Sequence, residues 1–135
     1  MKPSVVELLT GHGIQPSAHR VAVAQYVLTT EDHPSADRVW ARVKARFPMI
    51  SRATVYNTLN LFVEKGLLRE LHLAPESVVF DPNMDRHHHV IDDETGRIHD
   101  VPWGSVQVSN VGNLAGFDIR DYQVVMHGRA RKHKR

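Results

Sequence analysis

The chain has 135 residues with no cysteine, is 41% hydrophobic and 24% charged, and carries a net charge of +2. That apolar share suits one or two small globular domains and excludes a wholly disordered chain, while the missing cysteine excludes disulfides, thiolate zinc sites and a thiol nucleophile. No apolar run reaches the ~18–20 residues of a membrane span, and Met1 to Thr10 lacks a signal-peptide pattern, so a cytoplasmic location is expected.

The front of the chain reads as helices with short breaks. Pro16 and Ser17 open a segment whose Val21, Ala24, Val27 and Leu28 fall close to helical spacing. His33-Pro34-Ser35 is a break. Ser35 suits an N-cap, and Asp37 lies in the first turn, where the helix dipole favours an anion. Val39, Val43 and Phe47 give that helix a buried stripe, and Phe47-Pro48 is its predicted end. Ser51 caps a further helix with Val55, Leu59, Phe62 and Val63 on one face, and Gly66 fits its C-terminal cap. Leu67 to Leu73 and Ser77 to Phe80 read as two strands about Ala74-Pro75-Glu76. Three helices followed by a two-stranded ribbon is the winged variant of helix-turn-helix.

After Asp81-Pro82-Asn83 the pattern changes. Arg86 to Ile91 and Arg97 to Val101 read as strands joined by the polar turn 92–96. Residues 102–116 carry no clear pattern, and Phe117 to Met126 reads as a last strand. The expected organisation is α+β, with a winged-helix domain over 1–81 and a second domain over 82–135 that ends in a basic tail, Arg129 to Arg135.

The charge is divided along the chain: residues 1–70 carry +3, residues 71–128 carry −6, and residues 129–135 carry +5. A basic front suits a polyanion, and an acidic middle holding His87, His88, His89 and His99 suits a cation. Two groups of residues give these readings chemistry. Opposite its apolar stripe, the helix after Ser51 presents Arg52, Thr54, Tyr56, Asn57 and Asn60. Arg can fork onto guanine, Asn can pair with adenine, and a ring or methyl can meet the thymine methyl. Arg20, Arg42, Lys44 and Arg46 are candidates for phosphate contacts. A solvated polar face is the alternative, and the winged-helix order favours DNA.

In the second group, His87 and His89 are two apart on a strand, so they share a face and His88 takes the other. A hairpin about 92–96 sets Asp100 opposite His89. Asp81 stands six residues before His87. Two imidazoles and two carboxylates suit Fe(II) or Mn(II); the alternative is a surface cluster that holds no metal. His12, His19, His72 and His133 read as surface residues, and Trp40 and Trp103 as core or interface. Gly-rich phosphate loops, Gly-x-Ser-x-Gly and His-Glu-x-x-His are absent from the sequence. Two histidines and an acid also resemble the facial triad of non-haem iron oxygenases, but a chain this short has little room for a substrate pocket beside a DNA reader. Metal storage alone would leave Arg52, Tyr56 and Asn57 without a role.

The runs SRATVYNTLNLF at 51–62, EKGLL at 64–68, HPSAD at 33–37, Phe80-Asp81 and RHHH at 86–89 together resemble the ferric uptake regulator (Fur) superfamily. The similarity spans about residues 5 to 127. It implies a winged-helix DNA-binding domain, a hinge, an α/β dimerisation domain, and a homodimeric repressor on palindromic double-stranded DNA. Arg20, Ser51, Arg52, Thr54, Tyr56 and Asn57 are then the expected DNA contacts. His33, Asp81, His87, His89 and Asp100 fall where the peroxide-responsive branch has its five Fe(II)/Mn(II) ligands; iron-uptake regulators more often carry glutamate in place of the two aspartates. The resemblance implies that Fe(II) and hydrogen peroxide oxidise His33 or His87, and that the Mn(II) form is insensitive.

This chain also departs from the family pattern. Asp92, Thr95, Ala130 and His133 stand where most members have two Cys-x-x-Cys pairs, so no structural thiolate zinc is expected. Asp121 and Tyr122 replace a histidine of the usual second metal site. The histidine run, with Val124-Val125 to Arg131-Lys132, also resembles the haem-responsive iron regulators, which makes iron or haem the alternative signal.

Overall fold

The computed structural model describes residues 2–74 and 77–131. The predicted turn apex Pro75-Glu76, His133 and the end of the basic tail lie outside them. The chain divides into two compact units, residues 1–84 and 85–135.

The first unit holds helices α1 (Val5–Gly11), α2 (Ala18–Val27), α3 (Ala36–Lys44) and α4 (Arg52–Glu64), followed by strands β1 (Arg69–Ala74) and β2 (Ser77–Asp81). A serine starts every helix. Ser4, Ser17, Ser35 and Ser51 accept the amide of the residue three positions on, at 3.1, 3.2, 3.2 and 3.0 Å. Each bond satisfies a donor that the first helical turn leaves without a partner. At the other end of α4, the Leu67 amide reaches the Phe62 carbonyl at 2.9 Å and the Gly66 amide reaches Val63 at 3.1 Å. This closing motif needs the left-handed Gly66, whose φ is +83°.

The predicted helices are present, with two differences. Helix α1 was not distinguished in the sequence, because seven residues are too few to show a period. Helix α3 stops at Lys44 rather than at Phe47-Pro48. The Arg46 and Phe47 amides both turn back to the Val43 carbonyl, at 3.0 and 2.9 Å, so the helix tightens and ends before proline acts. The core is a continuous cluster in which Leu9, Val23, Val27, Val39, Val55, Leu59 and Phe62 have no exposed surface. Burial of each such side chain stabilises by about 1.5–3 kcal/mol. β1 and β2 pair antiparallel with Arg69 opposite Asp81 and Leu71 opposite Val79.

The second unit is a three-stranded sheet of order β4-β3-β5, built from β3 (His87–Asp92), β4 (Ile98–Pro102) and β5 (Val125–Gly128). β4 runs antiparallel to β3, and β5 runs parallel to it. Two 3-10 turns, Trp103–Ser105 and Val111–Asn113, lie between β4 and β5. The last strand is shorter and later than the predicted Phe117 to Met126. Phe117 and Ile119 are 72% and 40% exposed, and ladder pairing begins at Val125 opposite His89. Alternating apolar residues give a strand only where a partner edge is free to take the backbone. The architecture is α+β, as read from the sequence. Among the described residues no helix is long and apolar enough to cross a membrane.

Candidate functional site

The first unit holds one histidine-carboxylate pair. The Phe80 amide donates to the Pro34 carbonyl at 2.9 Å, which ties the 33–35 break to β2 and sets His33 beside Asp81. His33 Nε2 lies 3.4 Å from Asp81 Oδ2, and both side chains are buried. Asp81 Oδ1 accepts the Asn83 amide at 2.9 Å. His33 holds φ at +51°, a left-handed conformation uncommon outside glycine. Such backbone costs about 1–3 kcal/mol and persists where the surroundings enforce it, commonly at functional sites.

The second unit separately brings together two imidazoles and one carboxylate. The β3–β4 register sets Asp100 opposite His89, as the hairpin reading expects. Asp100 Oδ1 lies 3.4 Å from His87 Nε2 and 3.5 Å from His89 Nε2. The two rings meet edge to face, with centroids 4.6 Å apart. Each imidazole is fixed from behind. His87 Nδ1 donates to the Asp85 carbonyl, and His89 Nδ1 donates to Gln123 Oε1 at 2.8 Å. Both Nε2 lone pairs therefore face the Asp100 side, the arrangement in which an outer hydrogen bond sets the tautomer of a ligating histidine.

His88 points the other way, as strand alternation requires. Its Nδ1 accepts the Val124 amide at 2.9 Å, and its ring stacks on Trp103 at 4.4 Å. Arg86, at the position before the histidine run, lies 3.8 Å over the other partner of this stack, the Trp103 ring, and 3.8 Å from Asp121.

The predicted DNA contacts lie on or beside α4. Ser51, Arg52, Tyr56, Asn57 and Asn60 are exposed and Thr54 is half-buried, whereas Val55, Leu59 and Phe62 face the core. Arg20, Thr54 and Asn57 line one cleft of about 250 Å³. Arg20 donates to the Gln15 carbonyl at 2.9 Å. Ser51 is occupied as the helix cap and also meets the Thr54 hydroxyl at 2.8 Å. Arg42 and Lys44 lie over the Tyr26 and Trp40 rings, and Arg46 lies over Phe47. Tyr56 donates to Asp37 Oδ1 at 3.1 Å. Partial desolvation, then the Asp37 hydrogen bond and charge, hold the Tyr56 hydroxyl above its usual pKa, against a lowering by Arg52.

Sequence reasoning missed Gln123 and the Asp85 carbonyl as supports of the imidazoles. Gln123 is 34 residues from His89, and no spacing rule joins them. It also read Asp37 only as a helix-start residue.

The ferric uptake regulator family profile matches residues 11–127. The chain belongs to this family. Over 120 residues it is 32% identical to the "Peroxide-responsive repressor PerR" of Staphylococcus epidermidis, covering 86% of this chain and 79% of that protein. Among solved structures, the ferric uptake regulator from Francisella tularensis with iron matches at a TM-score of 0.71 and 25% identity, covering 88% of this chain and 93% of that one. The Campylobacter jejuni peroxide stress regulator matches at 0.67 and 24%, covering 98% of each chain. The protein is thus a Fur-family metalloregulator, a transcriptional regulator rather than an enzyme, with a winged-helix DNA-binding domain and a dimerisation domain of the family's type.

The residues here do not fit a thiolate zinc. At the first Cys-x-x-Cys position, Asp92 Oδ1 accepts the Glu94 and Thr95 amides at 2.9 and 3.4 Å. The turn is closed by hydrogen bonds where a metal would otherwise close it.

Proposed function

We propose that this Fur-family regulator is a cytoplasmic homodimeric repressor, that Fe(II) or Mn(II) couples its two units, and that it senses hydrogen peroxide. The ligands are His33 and Asp81 from the first unit and His87, His89 and Asp100 from the second. The observation that carries this reading is the pre-set pair of Nε2 lone pairs on His87 and His89, both turned toward Asp100. The donor set fits: borderline imidazoles with hard carboxylates suit Fe(II) and Mn(II), and two aspartates neutralise a divalent charge. The peroxide-responsive relative at 32% identity supports the choice of signal.

Each residue has a task. Asp85 and Gln123 hold the imidazole tautomers. Asp81 and Asp100 supply charge. His33, fixed in its left-handed backbone, links the DNA-reading unit to the ion. Fe(II) held by these residues would supply the redox chemistry that activates hydrogen peroxide; the imidazole of His33 or His87 would be oxidised by two electrons, gaining one peroxide oxygen while the other leaves as water. An oxidised imidazole no longer offers the same lone pair, so the link between units is lost. A coupling of about 1–3 kcal/mol would change DNA affinity ~5–150-fold. Exposed Leu114, Phe117 and Ile119 in the second unit supply apolar surface for a second copy, and a two-fold dimer suits a two-fold operator.

Haem is a weaker second reading. The histidine of the run not assigned to metal, His88, is enclosed and stacked on Trp103, which leaves little face for a porphyrin.

Two measurements test the proposal. Gel shifts with and without Mn(II) should differ, and equal binding ends the coupling claim. Intact mass after Fe(II) loading and brief peroxide exposure should show one added oxygen, mapped by peptide fragmentation to His33 or His87. An unmodified protein, with DNA release on adding haem and a Soret shift, moves the signal to haem.

A further inference from the structure

The reading face of α4 is gripped by a carboxylate from another helix. Arg52 and Tyr56 are four apart on α4, and Asp37 and Trp40 are three apart on α3, so each pair shares one helical face. The two faces meet. Arg52 Nε lies 3.3 Å from Asp37 Oδ1, the same oxygen that accepts the Tyr56 hydroxyl at 3.1 Å. The Arg52 guanidinium also lies 4.9 Å over the Trp40 ring, and that indole is anchored by its own hydrogen bond to the Ile50 carbonyl at 3.1 Å. A groove of about 360 Å³ lined by Ser35, Asp37, Tyr56, Asn60 and Phe80 opens beside the network.

The contact has two chemical consequences. Holding Arg52 by Nε leaves its two terminal nitrogens free as a fork, the edge that reads guanine or phosphate bidentately. Taking the Tyr56 proton into the Asp37 bond leaves the lone pairs of the phenol oxygen to act as acceptors. In the same place, a carboxylate on a face meant for a polyanion repels phosphate at every sequence. Such a group weakens general affinity, and its benefit lies in orientation.

We propose that Asp37 is a specificity-determining positioning residue, which orients Arg52 and Tyr56 for base readout at the expense of non-specific DNA affinity. This rests on the DNA-reading role of α4. The test uses the full chain with Mn(II) and two duplexes of equal length. One is enriched from a randomised pool by the wild-type protein; the other is unrelated.

For Asp37→Ala, the ratio of the two affinities should fall about tenfold, within what one misplaced bidentate contact forfeits, while affinity for the unrelated duplex rises. Asp37→Asn keeps the acceptor and loses the charge. It should hold the ratio within about threefold of wild type and still bind the unrelated duplex more tightly. Tyr56→Phe should lower the ratio in wild type and change it less in the Asp37→Ala background, since the two act as a unit. A proportional loss on both duplexes, or an unchanged ratio in Asp37→Ala, overturns the assignment of Asp37 and leaves the reading role of α4 intact. If wild type enriches no duplex over the unrelated one, the reading role itself falls, and this proposal with it.

Discussion

The two units bury different kinds of side chain. In the first, the enclosed residues are chiefly aliphatic and aromatic, from Leu9 to Phe80, joined by Thr58, His33 and Asp81. In the second, the buried residues among those described are His87, His88, His89 and Asp92. Apolar burial is non-directional and tolerates many sequences. A buried polar cluster has defined partners, and losing one leaves another uncompensated. The first unit therefore holds its shape by packing, whereas the second depends on particular hydrogen bonds.

This contrast makes ordered predictions. The largest effect is expected in the apolar core, where Leu59→Ala should cost about 2–5 kcal/mol. Its melting temperature should fall by the same amount with and without Mn(II); a loss confined to the Mn(II)-loaded protein would break the contrast. Gln123→Ala comes next. It removes the acceptor behind His89 and should weaken Mn(II) binding about 10–100-fold by calorimetry, with little change in the melting of the metal-free protein. Unchanged Mn(II) affinity would remove Gln123 from the site.

Smaller again is Ser35→Ala, which deletes the α3 cap at Arg38 and should cost about 0.5–2 kcal/mol in chemical denaturation, independent of metal. The smallest effect concerns acid. The Glu94 amide holds the Asp92 carboxyl below its ordinary pKa, aided by Thr95 and the His99 charge and opposed by burial. A carboxyl lowered by folding stabilises the turn above its unfolded pKa, and that stability is lost as pH falls through the folded value. The Asp92 carbon resonance should titrate below the usual aspartate midpoint, with Glu94 amide exchange quickening over the same window. An ordinary midpoint would mean that the turn does not depend on this carboxylate.

The parts legible in the sequence share a physical character. Serines before apolar periods marked the starts of α2, α3 and α4, because capping is a local bond between residues three apart. Period-two alternation put His87 and His89 on one face with Asp100 across from them, because a tight hairpin fixes register. Motif resemblance placed the family. The sequence placed the end of α3 too late and made the last strand too long and too early, and it left open the outer partners of the imidazoles. It also left unread the second role of Asp37, whose side chain reaches Arg52 and Tyr56 on another helix.

Composition and periodicity alone determined a chain without thiolate chemistry, a serine-capped helical front and a histidine-aspartate hairpin, because each depends on contacts a few residues apart or on the mere presence of a residue type. Tertiary structure decided which nitrogen of each imidazole faces Asp100 and which oxygen Arg52 and Tyr56 share. Apart from the local His87–Asp85 bond, those choices join residues 15 to 34 positions apart, and only packing sets such distances.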